Sequence, residues 1–190
     1  MSDKAYLKTP EFRGSYVDFV TARKRKNAKP DETAKYGCVI PLPKTNPAVK
    51  AFMAGLKAHA EAAAKAKGID ITKKWKRPWS DGDKVDEGED SPHNPGMWVL
   101  RARSTFQPKI IDKHGAELKT TDDLYSGAWY KVKLTLFAWT HPEGGAGVSV
   151  SLENGIKIKD DERFGGGGGG NPADDFADDL DLSGEDDIEL

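Results

Sequence analysis

The sequence has a single cysteine, Cys38, so it can form no intrachain disulfide, a pattern that fits a reducing compartment. It has no apolar run near the roughly 20 residues needed to span a bilayer. The opening Met1-Ser2-Asp3-Lys4 is followed by no apolar stretch, so no secretory signal is expected. The four histidines, His59, His93, His114 and His141, lack metal-ligand spacing. No glycine-rich loop leads into a Lys and a Ser or Thr, so no phosphate loop is expected either. The acid pairs Asp122-Asp123 and Asp160-Asp161 suit turns better than a Mg²⁺-dependent nuclease, because adjacent strand residues point apart. Cys38 lies in an apolar run with no visible base partner and reads as core. These absences argue against an enzyme and against a metal or other cofactor.

What is present is an uneven charge distribution. All 29 Lys and Arg precede Gly165, while nine of the 31 acids follow it. The remaining 22 acids leave the body at +7 and the tail at −9, which the net charge of −2 conceals. A basic body attracts polyanions, and an acidic tail on the same chain can fold back on that body or bind another basic partner. The sequence divides accordingly into a domain over 1–164, a flexible polyglycine linker over 165–170, and an acidic tail over 171–190 that has too little apolar surface to fold alone.

Within the body, residues 1–9 read as a loose start and Arg23 to Pro30 as a basic loop or arm. Tyr36 to Leu42 is a short β-prone run. A helix follows, with Asn46 as cap, Pro47 at the first position, and Gly68 where a C-terminal cap belongs. Val49, Phe52, Met53, Leu56 and Ala60 give it one apolar face. Residues 69–96 read as a long polar loop. From 97 to 164 the pattern is β. Trp98 to Phe106, Trp129 to Trp139, Val148 to Leu152 and Ile156 to Ile158 are expected strands. Gly144-Gly145 and Asn154-Gly155 are expected turns, and Ile110-Ile111 and Asp122 to Gly127 connections. Regularly spaced strands with one early helix predict a mainly β, OB-fold-like barrel with one inserted α-helix and a disordered acidic C-terminal tail.

The strand from Trp129 to Trp139 carries the clearest functional signal. Alternation puts Tyr130, Val132, Leu134, Leu136 and Ala138 on a core face, and Trp129, Lys131, Lys133, Thr135, Phe137 and Trp139 on the other. Aromatics interleaved with lysines away from the core suit single-stranded nucleic acid, with rings for the bases and cations for the phosphates. The same face could instead cover a second small core or a dimer interface, with the lysines beside it. Arg101 and Arg103 share one face of the preceding strand and extend the positive surface; Trp98, Leu100, Ala102 and Phe106 face the other way.

The segment Lys73-Lys74-Trp75-Lys76-Arg77-Pro78-Trp79 packs four cations and two tryptophans into seven residues. One tryptophan as anchor and one as stacker is the expected division. Arg23, Lys24 and Arg25 lie on the cationic arm. The candidate stackers are thus Trp75, Trp79, Trp129, Phe137 and Trp139. The candidate phosphate contacts are Arg23, Lys24, Arg25, Lys73, Lys74, Lys76, Arg77, Arg101, Arg103, Lys131 and Lys133.

In layout the chain resembles the single-stranded DNA-binding proteins of tailed bacteriophages. The likeness rests on the early strand Tyr36 to Leu42, the helix after it, the aromatic and basic strand Trp129 to Trp139, the Phe164-Gly165-Gly166 transition and the acidic end. The end Asp186-Asp187-Ile188-Glu189-Leu190 is also similar to the tails of bacterial single-stranded DNA-binding proteins, with Leu190 in place of a terminal aromatic and Glu189 in place of a small residue or proline.

The resemblance implies coating of single-stranded DNA in phage replication, recombination and repair, in the cytoplasm of the infected host. It implies recruitment of polymerase or helicase through tail residues such as Asp178, Asp179, Asp186, Asp187, Ile188 and Leu190, and allows for a homodimer. The alternative from another class is a protein-interaction or scaffolding module without nucleic acid.

Overall fold

A computed structural model describes residues 6–24, 28–84 and 94–164. Arg25 and the candidate tail residues fall outside these.

The elements in chain order are β1 (Tyr6–Lys8), β2 (Phe12–Arg13), β3 (Ser15–Arg23), β4 (Lys35–Pro43), α1 (Pro47–Ala66), β5 (Trp79–Asp81), β6 (Met97–Ser104), β7 (Lys109–Ile111), β8 (Glu117–Leu118), β9 (Trp129–Thr140) and β10 (Ala146–Lys159). The main ladder runs β1–β9–β10–β6–β4–β3, with β2 on β9, β5 on β6, β7 on β10, and β8 on β7. The fold is mainly β with a single helix among the described residues, an OB-like curl. The ladder ends at β1 and β3 instead of closing, so the expected barrel is open.

Alternation builds the core. Tyr130, Val132 and Leu134 of β9, Val148, Val150 and Leu152 of β10, Leu100 and Ala102 of β6, and Cys38, Ile40 and Leu42 of β4 are all buried. Tyr130 meets the ring of Phe19 edge-on, with centroids 5.3 Å apart. Its hydroxyl donates to the carbonyl of Tyr125 and accepts from the Tyr125 amide, both at 2.9 Å. Burial pushes the phenol of Tyr130 and the thiol of Cys38 well above their ordinary titration ranges.

The helix follows its caps. The Asn46 side chain accepts from the Ala48 amide, and Pro47 opens the first turn. Gly68, at φ +81, takes the left-handed conformation that ends the helix. The Gly68 amide then bonds the Lys65 carbonyl and the Ile69 amide the Ala64 carbonyl, both at 2.9 Å. Val49 and Leu56 bury against the main core. Ala60 and Ala64 join Ile69, Trp75 and Val148 in a second cluster.

Six readings of the sequence change. Residues 69–96 are not loop throughout, because Trp79–Asp81 pairs with Trp98–Leu100 of β6. Arg23 ends β3 instead of opening a loop. The start is not loose throughout, because Tyr6–Lys8 pairs with Lys133–Thr135 of β9. Asn154-Gly155 is not a turn: it lies inside β10, which runs through it on a bulge between Leu152 and Asn154. Lys109–Ile111 is a strand in its own right, parallel to β10. Phe106 lies beyond the end of β6 and is exposed instead of facing the core. The Gly144-Gly145 turn stands, both glycines having the positive φ that the β9–β10 hairpin needs.

Candidate nucleic-acid interface

The outward face of β9 sets the site. Trp129, Lys131, Lys133, Thr135, Phe137 and Trp139 all lie opposite the buried positions of that strand. Sheet register extends each one across neighbouring strands. Thr135 has Tyr6 of β1 on one side and Ser151 of β10 on the other. Ser151 pairs with Arg103 of β6, Arg103 with Gly37 of β4, and Gly37 with Asp18 of β3. A single row therefore crosses the sheet from Tyr6 to Asp18. Neighbouring strands lie about 4.8 Å apart, so five steps along this row cover about 24 Å.

Several contacts fix the side chains along this face. Lys133 Nζ stands 3.8 Å from the centroid of the Tyr6 ring, which places a cation and an exposed aromatic side by side. Phe137 is half in solvent at 50% exposure. Trp139 Nε1 donates to Ser149 Oγ at 3.0 Å, so its indole is held at a fixed angle on the strand. Thr135 is shielded by its neighbours and donates to Glu153 Oε1 at 2.8 Å. A Cβ at Gly37 would collide with the Ala102 carbonyl oxygen and fall 3.1 Å from Arg103 Cγ, so glycine is what lets β4 lie against β6 beside Arg103. Arg101 is exposed on the same face, opposite Val39.

The basic segment after the helix is stitched to this sheet. The Lys76 amide donates to the Ala146 carbonyl, and the Val148 amide to the Lys76 carbonyl, both at 2.9 Å. Lys76 is thus a one-residue parallel bridge beside Gly147. Trp75, next along, is buried at 8% exposure among Ala60, Ala64, Ile69 and Val148. Its ring is the anchor of the segment and is closed to a base. With Trp75 turned in, the exposed Lys76 stands on the outer side next to Trp139.

Lys74 is exposed beside it, and Lys73 is exposed with Asp70 at 3.7 Å. Arg77 and Trp79 turn elsewhere. With Met53, Ala54, Lys57 and Trp98 they line a shallow groove of about 420 Å³ between α1 and β5–β6.

The remaining candidates sit at the margins. Trp129 is half-buried, Lys159 is 4.7 Å from its ring centroid, and its Nε1 donates to Asp161 Oδ2 at 2.7 Å. That hydrogen bond, with the Glu162 amide next, holds the Asp161 carboxyl below its ordinary range. Arg23 ends β3 and pairs with Asp18 at 2.9 Å. Asp18 is shifted the other way, raised by burial against the lowering pull of Arg23 and Arg103. Lys24 Nζ donates to the Pro30 carbonyl at 2.9 Å.

The structure thus brings Lys131, Lys133, Phe137, Trp139, Arg101, Arg103 and Lys76 onto one face. It places Trp75, Trp79 and Arg77 off it, and Trp129, Arg23 and Lys24 at its ends. Tyr6 and Lys8 join the face without having been singled out. Their signal was the same period-two alternation, in a strand of only three residues.

The open OB-like sheet thus carries aromatics and cations together on its outward face. The chain belongs to the family of single-stranded DNA-binding proteins described from Enterobacter phage Enc34, whose model matches residues 5–188. It is a phage-type single-stranded DNA-binding protein by family.

Solved structures agree on the fold. The single-stranded DNA-binding protein of bacteriophage Enc34, as a C-terminal truncation, is 23% identical, with a TM-score of 0.68 over 84% of this chain and 88% of that one. The same phage protein in complex with ssDNA is 24% identical, with a TM-score of 0.67 over 84% and 89%. The bacteriophage T7 single-stranded DNA-binding protein gp2.5 is 17% identical, with a TM-score of 0.60 over 96% and 98%. No curated protein matches the chain significantly.

Proposed function

We propose that the outward face of β9, β10 and β6 binds single-stranded DNA with little sequence preference. Phe137 and Trp139 stack on bases, and Lys131, Lys133, Arg101, Arg103, Lys74 and Lys76 meet phosphates. The observation that carries this reading is the stitching of Lys76 beside Gly147 and Trp139. It joins the basic segment and the aromatic strand, far apart in sequence, into one surface. Every base has a π-face and every linkage a charge, so such a surface coats a strand without reading it.

Beyond the domain over 1–164, the linker over 165–170 keeps the acidic segment 171–190 at high local concentration near this face. Its −9 charge competes with DNA. Bound DNA displaces it, and Asp178, Asp179, Asp186, Asp187, Ile188 and Leu190 become free to engage replication proteins such as a polymerase or helicase. The setting of this work is the cytoplasm of an infected bacterium, in DNA replication, recombination and repair. A homodimer is compatible with the face left open.

The deciding experiment is a tryptophan-fluorescence titration with oligo-dT at two salt concentrations, beside duplex DNA of equal length. Salt-sensitive quenching by oligo-dT, with a weak duplex response, is the expected result. No response to oligo-dT at low salt would move the aromatic face to a protein-interaction role.

A further inference from the structure

Tyr16 is the one non-glycine residue with positive φ, at +47, among the described residues. For an L-residue this left-handed conformation costs about 1–2 kcal/mol, and a bulky aromatic is an unusual occupant. Glycine would adopt it at no such cost.

The cause lies in the register of β3 on β4. Ser15 stands opposite Val39 and Asp18 opposite Gly37, so three steps on β3 match two on β4. The extra residue is a bulge. Without it, alternation from Ser15 would send Tyr16 inward. With it, Val17 packs against the core, Phe19 is fully buried, and Tyr16 is 66% exposed.

Backbone bonds on both sides hold the bulge in place. The Gly14 amide bonds the Ala128 carbonyl and the Gly127 amide bonds the Gly14 carbonyl, both at 2.9 Å. The Val17 amide donates to Ser126 Oγ at 3.0 Å. Strain held from several sides around an exposed aromatic marks a place where the side chain, and not the backbone, has the use.

The position relative to the face follows from the ladder. Ser15 pairs with Val39, and Val39 with Arg101 of β6. Ser15, the residue before Tyr16, thus lies level with the exposed Arg101, and Tyr16 stands exposed beside it at the β3 edge of the sheet. β10 meets β6 at Ser151 opposite Arg103, two residues beyond Arg101, and on β10 Ser149, two residues before Ser151, pairs with Phe137. β3 and β9 are four strand spacings of about 4.8 Å apart in the ladder, about 19 Å along the sheet.

Resting on the DNA-binding reading above, we propose that Tyr16 is a further base-stacking platform. The bound strand then crosses the sheet from Phe137 and Trp139, over Arg101, to the β3 edge.

The test compares Tyr16→Gly, Tyr16→Phe and Phe137→Ala in the full chain, reading oligo-dT affinity and Tm. Loss of one stacked base corresponds to about tenfold in affinity. Tyr16→Gly is expected to bind oligo-dT about tenfold more weakly with Tm unchanged or raised, and Tyr16→Phe to bind as the parent does. A lowered Tm in Tyr16→Gly would make Tyr16 a structural residue and overturn the proposal. Unchanged affinity in Tyr16→Gly alongside a loss in Phe137→Ala would overturn it while leaving the binding face in place. Unchanged affinity in both would overturn the proposal and the binding face together.

Discussion

The indole of Trp139 occupies the space that a side chain at position 147 would need, with Cζ2 standing 2.8 Å from where a Cβ on Gly147 would lie. The same Cβ would fall 2.7 Å from the carbonyl oxygen of Lys76. Glycine is what lets the basic segment, β10 and the tryptophan share one close-packed corner. Gly147→Ala is therefore expected to open the Lys76 bridge, since a backbone carbonyl cannot rotate aside. Hydrogen exchange at the Lys76 and Val148 amides should accelerate, and oligo-dT affinity should fall several-fold. The accompanying stability loss should be about 1–3 kcal/mol, the usual cost of overpacking. Unaltered exchange at both amides would remove Gly147 from this role.

Lys131 and Lys133 together should act on salt dependence more than on fold. Each phosphate contact to single-stranded DNA contributes about 0.7 to the slope of log affinity against log salt. Replacing both with alanine should flatten that slope by about 1.4 and weaken binding most at low salt. An unchanged slope would mean that neither lysine meets a phosphate.

The two tryptophans at the Lys76 corner should separate stability from binding. Trp75 is anchored beneath the segment, so Trp75→Ala is expected to cost about 3–5 kcal/mol of stability, as large-to-small core changes do. Trp139 lies on the open face, and Trp139→Ala should cost about 1–3 kcal/mol of oligo-dT binding. Urea denaturation and anisotropy titration of both variants check this. A reversal of the two effects would exchange their roles.

Acid should act on the segment that follows β10 and bonds to Trp129 and Tyr125. The Asp161 carboxyl is lowered by the Trp129 indole, and that of Asp160 by Lys157 and then Tyr125. The stability these groups contribute is present above the ordinary carboxylate value of 3.8 and is lost as pH falls through their folded values. Asp18 has the opposite sign, its raised value penalising the fold as pH rises from 3.8 upward. Trp129 emission followed down an acid titration should change below 3.8 in the parent, and the change should be smaller in Asp161→Asn. A parent profile flat through that range would dissolve the link.

Removal of residues 171–190 should tighten oligo-dT binding at low salt and make little difference at high salt, where the −9 charge is screened. Equal affinities of full and truncated chains at low salt would sink the competition between tail and DNA.

Much of this arrangement was legible in the sequence, and the reasons differ by element. The long strand Trp129 to Trp139 gave both its faces away by alternation, because a dozen residues carry the period clearly. The helix announced itself through Asn46, Pro47 and Gly68, whose capping chemistry is local.

What stayed hidden was set by distant partners. Tyr6–Lys8 is a strand only because β9 offers it an edge. Asn154-Gly155 has the composition of a turn, but pairing on both sides keeps β10 extended through it. The inward turn of Trp75 depends on Ala60, Ala64 and Val148, residues that nothing in its own segment specifies.

β10 also bears on how the chain reaches its folded state. It is the last strand among the described residues, yet it is antiparallel to β9 and parallel to β6 and β7, and it holds Lys76 through Ala146 and Val148. Four earlier regions thus wait on one late segment for their partners. A chain emerging from the ribosome can form α1 and the β3–β4 pair early, but the sheet stays in two halves until residue 159 is available. Such long-range closure predicts folding in the slow range of small β domains, limited by the docking of a single strand.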